Sequence, residues 1–218
     1  MNFHRFRARS TLALMIEDFG GRVATVWSEL RPATRNLVER ALQPSPTSAG
    51  ALARNLPYDA RADLELSKLL AALDESASET GDSLGNEKSD KLREVADTCA
   101  SVLLEKTQSA EVFTQLVERA HSQHDYKRID ALADALSSRF APSEICELAR
   151  SPNVVVRALA QESLVQLPTS VLVGVLHDPV DSAFARDALR RQAIEYGSEE
   201  ARQIVIALEQ VNPDSEEL

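Results

Sequence analysis

Apolar residues recur along this chain at the spacing of an α-helix, and strand-like alternation is absent from it. Leu12, Met15, Ile16 and Phe19 fall on one helical face, and Val23, Val26, Trp27 and Leu30 on another. Between them stands Gly20-Gly21. Glycine inside a helix costs about 1 kcal/mol relative to alanine, so the pair predicts a break. Pro32 suits the first turn of a helix through Leu42, where its missing N–H is not needed. Leu66, Leu69, Leu70 and Leu73 then predict a helix from about Asp59 to Ser76. Two polar, turn-rich segments punctuate this half: "QPSPTSAG" at 43–50 and "SASETGDSLGNEKSD" at 76–90.

The pattern is denser from residue 89 onward. Ser89 can cap a helix carrying Leu92, Val95, Ala96, Cys99, Val102 and Leu103. Ser109 can cap the next, with Val112, Phe113, Leu116 and Val117. Further helices follow: one with Ile129, Leu132, Ala133 and Leu136, and a short one after Ser143 with Ile145 and Leu148. Helices opening at Thr169 or Ser170, at Ser182 and at Ser198 complete the series. Small hydroxyl side chains at such starts accept hydrogen bonds from the free N–H groups of a first turn.

Three of these helices start near residues 126, 153 and 181, each paired with a neighbour across a short turn. The interval lies within the period range of helical solenoids. Two of the turns share a proline, "ARSPN" at 149–153 and "LHDPV" at 176–180. The stretch "SPNVVVRALAQESL" at 151–164 combines a proline-containing turn, Val156-Arg157, Ala160 and Leu164. In this order it resembles the second helix of a HEAT-type repeat. "LHDPVDSAFARDALRRQAI" resembles it more weakly, with Arg186 near the repeat's arginine position. The resemblance covers about residues 143–197. It implies a short α-α superhelix in which Val156, Ala160 and Leu164 are buried between neighbours and Arg157 reaches the Asp178 turn. The same spacing also describes an amphipathic helix with an arginine at its edge, inside a non-repetitive bundle. Both readings give an all-α fold of antiparallel helix pairs.

Composition agrees. Hydrophobic residues make up 44%, enough for a substantial core, while aromatics at 5% and only seven glycines favour helix over sheet. The net charge is −10 and unevenly spread: residues 1–50 carry seven Lys/Arg against four Asp/Glu, residues 151–218 five against eleven. An acidic body repels phosphate backbones, which weighs against nucleic acid as a partner. Cys99 and Cys146 are isolated in helical patterns, form neither a metal site nor a disulfide framework, and suit a reducing compartment. No apolar run reaches the roughly 20 residues that span a bilayer. The first sixteen residues are Arg-rich and acid-free, a character shared by transit peptides and by the basic first helix of a cytoplasmic protein; we take the second.

Few residues carry chemistry. "GDSL" at 81–84 matches a serine esterase motif, but Ser83 lies in a polar linker with no preceding strand and no Asp-x-x-His to activate it. His121 and His124 stand three apart beside Asp125; they read as a helix end, since a zinc site needs further ligands. "FHRFRAR" at 3–9 interleaves Phe3 and Phe6 with arginines, a pattern that suits either an anionic surface or a docked amphipathic helix. Trp27 reads as core.

The expected organisation is therefore N-terminal helices over 1–42, then a linker, one helix and a polar loop over 43–88. A HEAT-like repeat region over 89–211 and an acidic tail over 212–218 follow. The expected function is that of a non-catalytic scaffold binding another protein, with no cofactor and no metal, in the cytoplasm. The acidic surface favours a basic partner segment. Arg157, Gln161, Arg186, Arg190 and Arg191 are the candidate partner-binding residues, at helix edges of the matching region. The competing expectations are a nucleic-acid-binding or DNA-base-directed HEAT-like protein, and an oligomerisation or adaptor module.

Overall fold

The structure, a computed structural model, describes residues 15–42, 58–80 and 86–211. The 43–50 linker, Ser83, the 3–9 segment and the 212–218 tail lie outside these residues. Among the described residues all regular structure is helical, and no helix is long and apolar enough to cross a membrane. The chain divides into two compact units, residues 1–107 and 108–218.

In the N-terminal unit, Gly20 takes φ +115°, a conformation side chains disfavour, and breaks the chain before α1 (Gly21–Glu29). Pro32 opens α2 (Pro32–Ala41). Two long helices follow, α3 (Ala60–Thr80) and α4 (Asn86–Lys106), which pack extensively on each other. α1 packs against α3, and α2 against α4 and α3. Leu66, Leu69, Leu70 and Leu73 of α3 are buried, as are Leu92, Val95, Cys99 and Leu103 of α4 and Trp27 of α1.

Two boundaries differ from the sequence-based expectation. The polar stretch 76–90 is largely helical: α3 runs to Thr80 and α4 starts at Asn86, ahead of Ser89. Helices propagate through polar residues where one face is already packed. The division falls after Thr107, so α4 belongs with α3 and not with a repeat region starting at residue 89. The buried hydroxyl of Thr107 donates to Asp63 at 2.8 Å, which fastens the end of α4 to the start of α3.

The C-terminal unit contains α5 (Ala110–Ser122), α6 (Tyr126–Arg139), α7 (Pro142–Ala149), α8 (Val154–Gln166), α9 (Thr169–Val175), α10 (Ser182–Glu195) and α11 (Glu199–Val211). Ser109 caps α5, Asp125 caps α6 and Asn153 caps α8, each accepting from a first-turn N–H. α7 starts differently from the Ser143 reading: Pro142 is its first residue, and Glu144 reaches back to the Ala141 N–H at 2.9 Å.

These helices pack in a regular order. α5 lies on α6, α7 on α8, α9 on α10, and α11 on α10. α5, α7 and α9 also pack in succession, as do α6, α8 and α10. The unit is thus two layers of alternating helices. The residues that open α6, α8 and α10 are Asp125, Asn153 and Asp181, set at equal 28-residue intervals.

Candidate binding surface

Two long-range contacts fix the turns of this unit along one edge. Asn153, opening α8, donates from Nδ2 to Glu118 of α5 at 3.2 Å. Arg150, ending α7, donates to Asp181, opening α10, at 2.5 Å. The Arg150 guanidinium also lies over the Phe184 ring, 5.7 Å from its centroid. The first of these turns contains His124, at φ +57° after the end of α5, so His121 and His124 do not share a continuing helix. Among the described residues, no group of three or more His, Cys, Asp or Glu is placed to hold a metal ion.

Val156, Ala160 and Leu164 are all buried within α8. Arg157 does not reach Asp178. It donates to the Ser151 carbonyl at 2.8 Å, in the turn before its own helix, while Asp178 accepts from the Val180 N–H. The side chain that crosses to the following turn is Arg150, which stands at the end of the preceding helix and so faces Asp181 directly.

Arg191 bridges two helices. It donates to Glu162 of α8 at 2.9 Å and to Glu195 of its own helix at 3.0 Å. The Tyr196 hydroxyl donates to the same Glu162 at 2.9 Å. Hydrogen bonds from Arg191 and Tyr196 hold the Glu162 carboxyl below its ordinary range. The same bond to Glu162 raises Tyr196, and bonds to Glu195 and Glu162 raise Arg191. Arg191 is therefore committed inside the unit and not held free for a partner. Arg186 is half-buried, its Nε enclosed without a hydrogen-bond partner. Gln161 is half-buried and Arg190 exposed on the neighbouring helices.

Sequence reasoning missed Gln192. Its side chain is buried in α10, and Nε2 donates to the carbonyls of Val165 at 2.8 Å and Leu167 at 2.7 Å. Its Oε1 accepts from the Thr169 hydroxyl at 3.1 Å. A lone glutamine within a charged helical segment carries no pattern that distinguishes it from a solvated one.

Among the described residues of this unit, six large apolar side chains are exposed. Tyr126 and Val154 open α6 and α8, and Val180 lies in the turn before α10. Ile194 is 82% exposed and Tyr196 60% at the end of α10, and Ile206 is 47% exposed on α11. In the N-terminal unit a cavity of about 110 Å³ is lined by Arg31, Thr34, Leu37, Tyr58 and Asp59. Its polar groups are committed to one another: Arg31 grips Asp59 and Glu65, and Thr34 donates to Glu65. This makes it a structural clamp. No family model matches the chain, and no curated protein or solved structure shows significant similarity to it.

Proposed function

We propose that this chain is a non-catalytic, HEAT-like helical-repeat scaffold that binds another protein. The observation that carries this reading is the order of the C-terminal unit. Helices alternate between two layers, each packs on its neighbours in sequence and on the next helix in its own layer, and three of them open at equal intervals. Such an array generates a continuous surface of side chains at repeated spacing, which suits a macromolecular partner better than an enclosed small molecule. The acidic balance favours a protein with a basic segment and disfavours nucleic acid. Both cysteines are free thiols in buried positions, which fits a reducing compartment such as the cytoplasm.

The test begins with co-purification of the full chain from its native cell, followed by titration with each purified candidate. Saturable binding by one protein, displaced by unlabelled chain, is the expected outcome. Absence of any such partner, together with tight and salt-sensitive binding of labelled DNA, overturns the proposal.

A further inference from the structure

The outer face of α8 is apolar over its first two turns. The helix packs on α5, α6, α7 and α10, and Val156, Ala160, Ser163 and Leu164 are buried there. Its remaining side faces outward from the second layer, between α6 and α10. Val154, Val155, Ala158 and Leu159 share that side, one turn of the helix separating each pair. Val154 is 67% exposed and Ala158 is exposed, while Val155 and Leu159 are half-buried at the margins. Arg157, the charged residue of this stretch, is turned back onto the Ser151 carbonyl. A surface helix ordinarily sets charged residues opposite its buried stripe. α8 does so only further along, from Gln161 and Glu162 onward.

α6 shows the ordinary pattern. It lies beside α8 in the same layer and opens 28 residues earlier, so Tyr126, Lys127, Asp130 and Ala131 take the places of Val154, Val155, Ala158 and Leu159. Asp130 and Asp134 are exposed one turn apart, and Asp187 is exposed on α10, at the other side of α8. None of the three belongs to an ion pair among the described residues. The exposed cations of α6 and α10, Lys127 and Arg190, are outnumbered by the exposed carboxylates Asp130, Asp134, Asp187 and Glu195. Across the three helices the order is therefore carboxylate, apolar, carboxylate.

We infer that this face docks a basic amphipathic helix of another polypeptide, laid along α8. This rests on the scaffold reading and adds to it the place and the chemistry of the partner. Packed helix axes lie about 8–10 Å apart, so a helix seated on α8 brings its two flanks over α6 and α10. Its apolar stripe covers Val154 to Leu159. Its lysines or arginines face Asp130 and Asp134 on one side and Asp187 on the other. Opposite charge along the flanks raises the association rate and sets the orientation, and the apolar contact supplies most of the affinity. A second copy of this chain fits worse, because it would bring the same carboxylates together.

The probe is a labelled peptide of about 18 residues, five helical turns, with leucines on one face and lysines on its flanks. It is titrated against the full chain by fluorescence anisotropy. Two control peptides accompany it: one with the same residues reordered so that the leucines encircle the helix, and one with glutamate for lysine. The expected result is saturable binding of the first peptide, about tenfold weaker binding of the reordered one and none of the acidic one. Ala158→Lys, at an exposed position, sets a charge in the apolar stripe and weakens binding about tenfold, and Asp130→Lys with Asp134→Lys weakens it about fivefold. Glu200→Lys with Glu209→Lys makes the same change of charge on α11 and leaves the affinity within about twofold. Each variant keeps the far-ultraviolet circular dichroism of the unmodified chain. Absence of binding, equal binding of the reordered peptide, an equal loss in the α11 variant, or full affinity in Ala158→Lys overturns the inference. So does self-association of the chain that Ala158→Lys abolishes. A native partner retained by Ala158→Lys removes this face from the interface and leaves the scaffold reading standing. Failure to find a native partner removes the scaffold reading, while the peptide result still decides what α8 docks.

Discussion

Arg150, at the end of α7, donates to the buried carboxylate of Asp181, which opens α10 in the next pair of helices. This pair joins successive turns of the array. Removing the cation alone leaves a carboxylate enclosed with no opposite charge, which costs more than the pair contributes. Arg150 is itself 40% exposed, so water offsets part of that loss. Arg150→Met is expected to destabilise the chain by about 1–2 kcal/mol, and Asp181→Asn by less, because the asparagine is neutral. Urea denaturation of both single variants and the double variant measures the coupling. Additive effects would show that the pair contributes nothing beyond its separate residues.

Gln192 closes the end of α8. The turn after α8 contains Pro168, which has no N–H, and Gln192 supplies the donors for the Val165 and Leu167 carbonyls. Gln192→Leu leaves two buried acceptors without partners and is expected to cost about 2–3 kcal/mol. Gln192→Glu is the sharper variant. An ionised carboxylate there faces two carbonyls, so folding favours its protonated form and raises its folded-state pKa. The variant is therefore most stable below the unfolded glutamate value, about 4.3, and loses stability as pH rises above it. Denaturation midpoints at pH 4 and pH 7 test this: an equal deficit at both would show that the carbonyls do not govern the site.

The all-helical class was legible in the sequence because apolar spacing records which face a helix buries. The buried Leu66, Leu69, Leu70 and Leu73 are an instance. What escaped was set by partners distant in sequence. The polar residues 77–80 and 86–88 extend helices whose packing lies elsewhere along α3 and α4. Arg150, Asp181 and Gln192 are ordinary helix-end residues until the turns are placed side by side. Arg157 stands at the expected edge of α8, but it donates to the Ser151 carbonyl in the turn before its own helix and not to the expected Asp178 turn. Arg191, expected at a helix edge to meet a partner, is held by Glu162 and Glu195.

Acid should loosen the N-terminal unit through one clamp. Hydrogen bonds from Arg31 hold Asp59 well below the ordinary carboxylate range. Glu65 is pushed up by burial, but the hydrogen bonds from Thr34 and Arg31 outweigh this and leave it lowered. For carboxylates lowered by folding, the stabilisation is present above the unfolded values, about 3.9 and 4.3, and is lost as pH falls through the folded ones. Arg31→Gln is expected to lower stability at pH 7 and to flatten its dependence below pH 4. Thermal unfolding from pH 7 to pH 2, followed by Trp27 fluorescence, reports on this unit. A parallel curve for the variant would place the acid sensitivity elsewhere.

Tyr196 gives an optical report on the Glu162 cluster. Its hydroxyl donates to Glu162, and losing the proton would leave two anions in contact, so its ionisation is pushed above the ordinary tyrosine value of about 10. Subtracting the ultraviolet titration of Tyr196→Phe from that of the unmodified chain isolates this residue from Tyr58 and Tyr126. The difference curve is expected to have its midpoint above 10 and to return toward 10 in Glu162→Gln. An unchanged midpoint in that variant would show that Glu162 does not hold the phenol.

Amide exchange without any ligand should rank the helices by how many sides they bury. α8 packs on α5, α6, α7 and α10, and its Val156, Ala160 and Leu164 are enclosed. Opening it breaks those packings together, so its slowest amides should exchange only with unfolding of the unit. α11 has Ala201 enclosed, Ile204, Val205 and Leu208 half-covered and Ile206 exposed, so it can detach with little loss of buried area. Its protection is expected to fall at least tenfold short of α8, and to be weakest beyond Leu208. Ala201→Ser should lower it further without changing α8. Equal protection of α8 and α11 would mean that α11 is held as firmly as the helices enclosed on several sides.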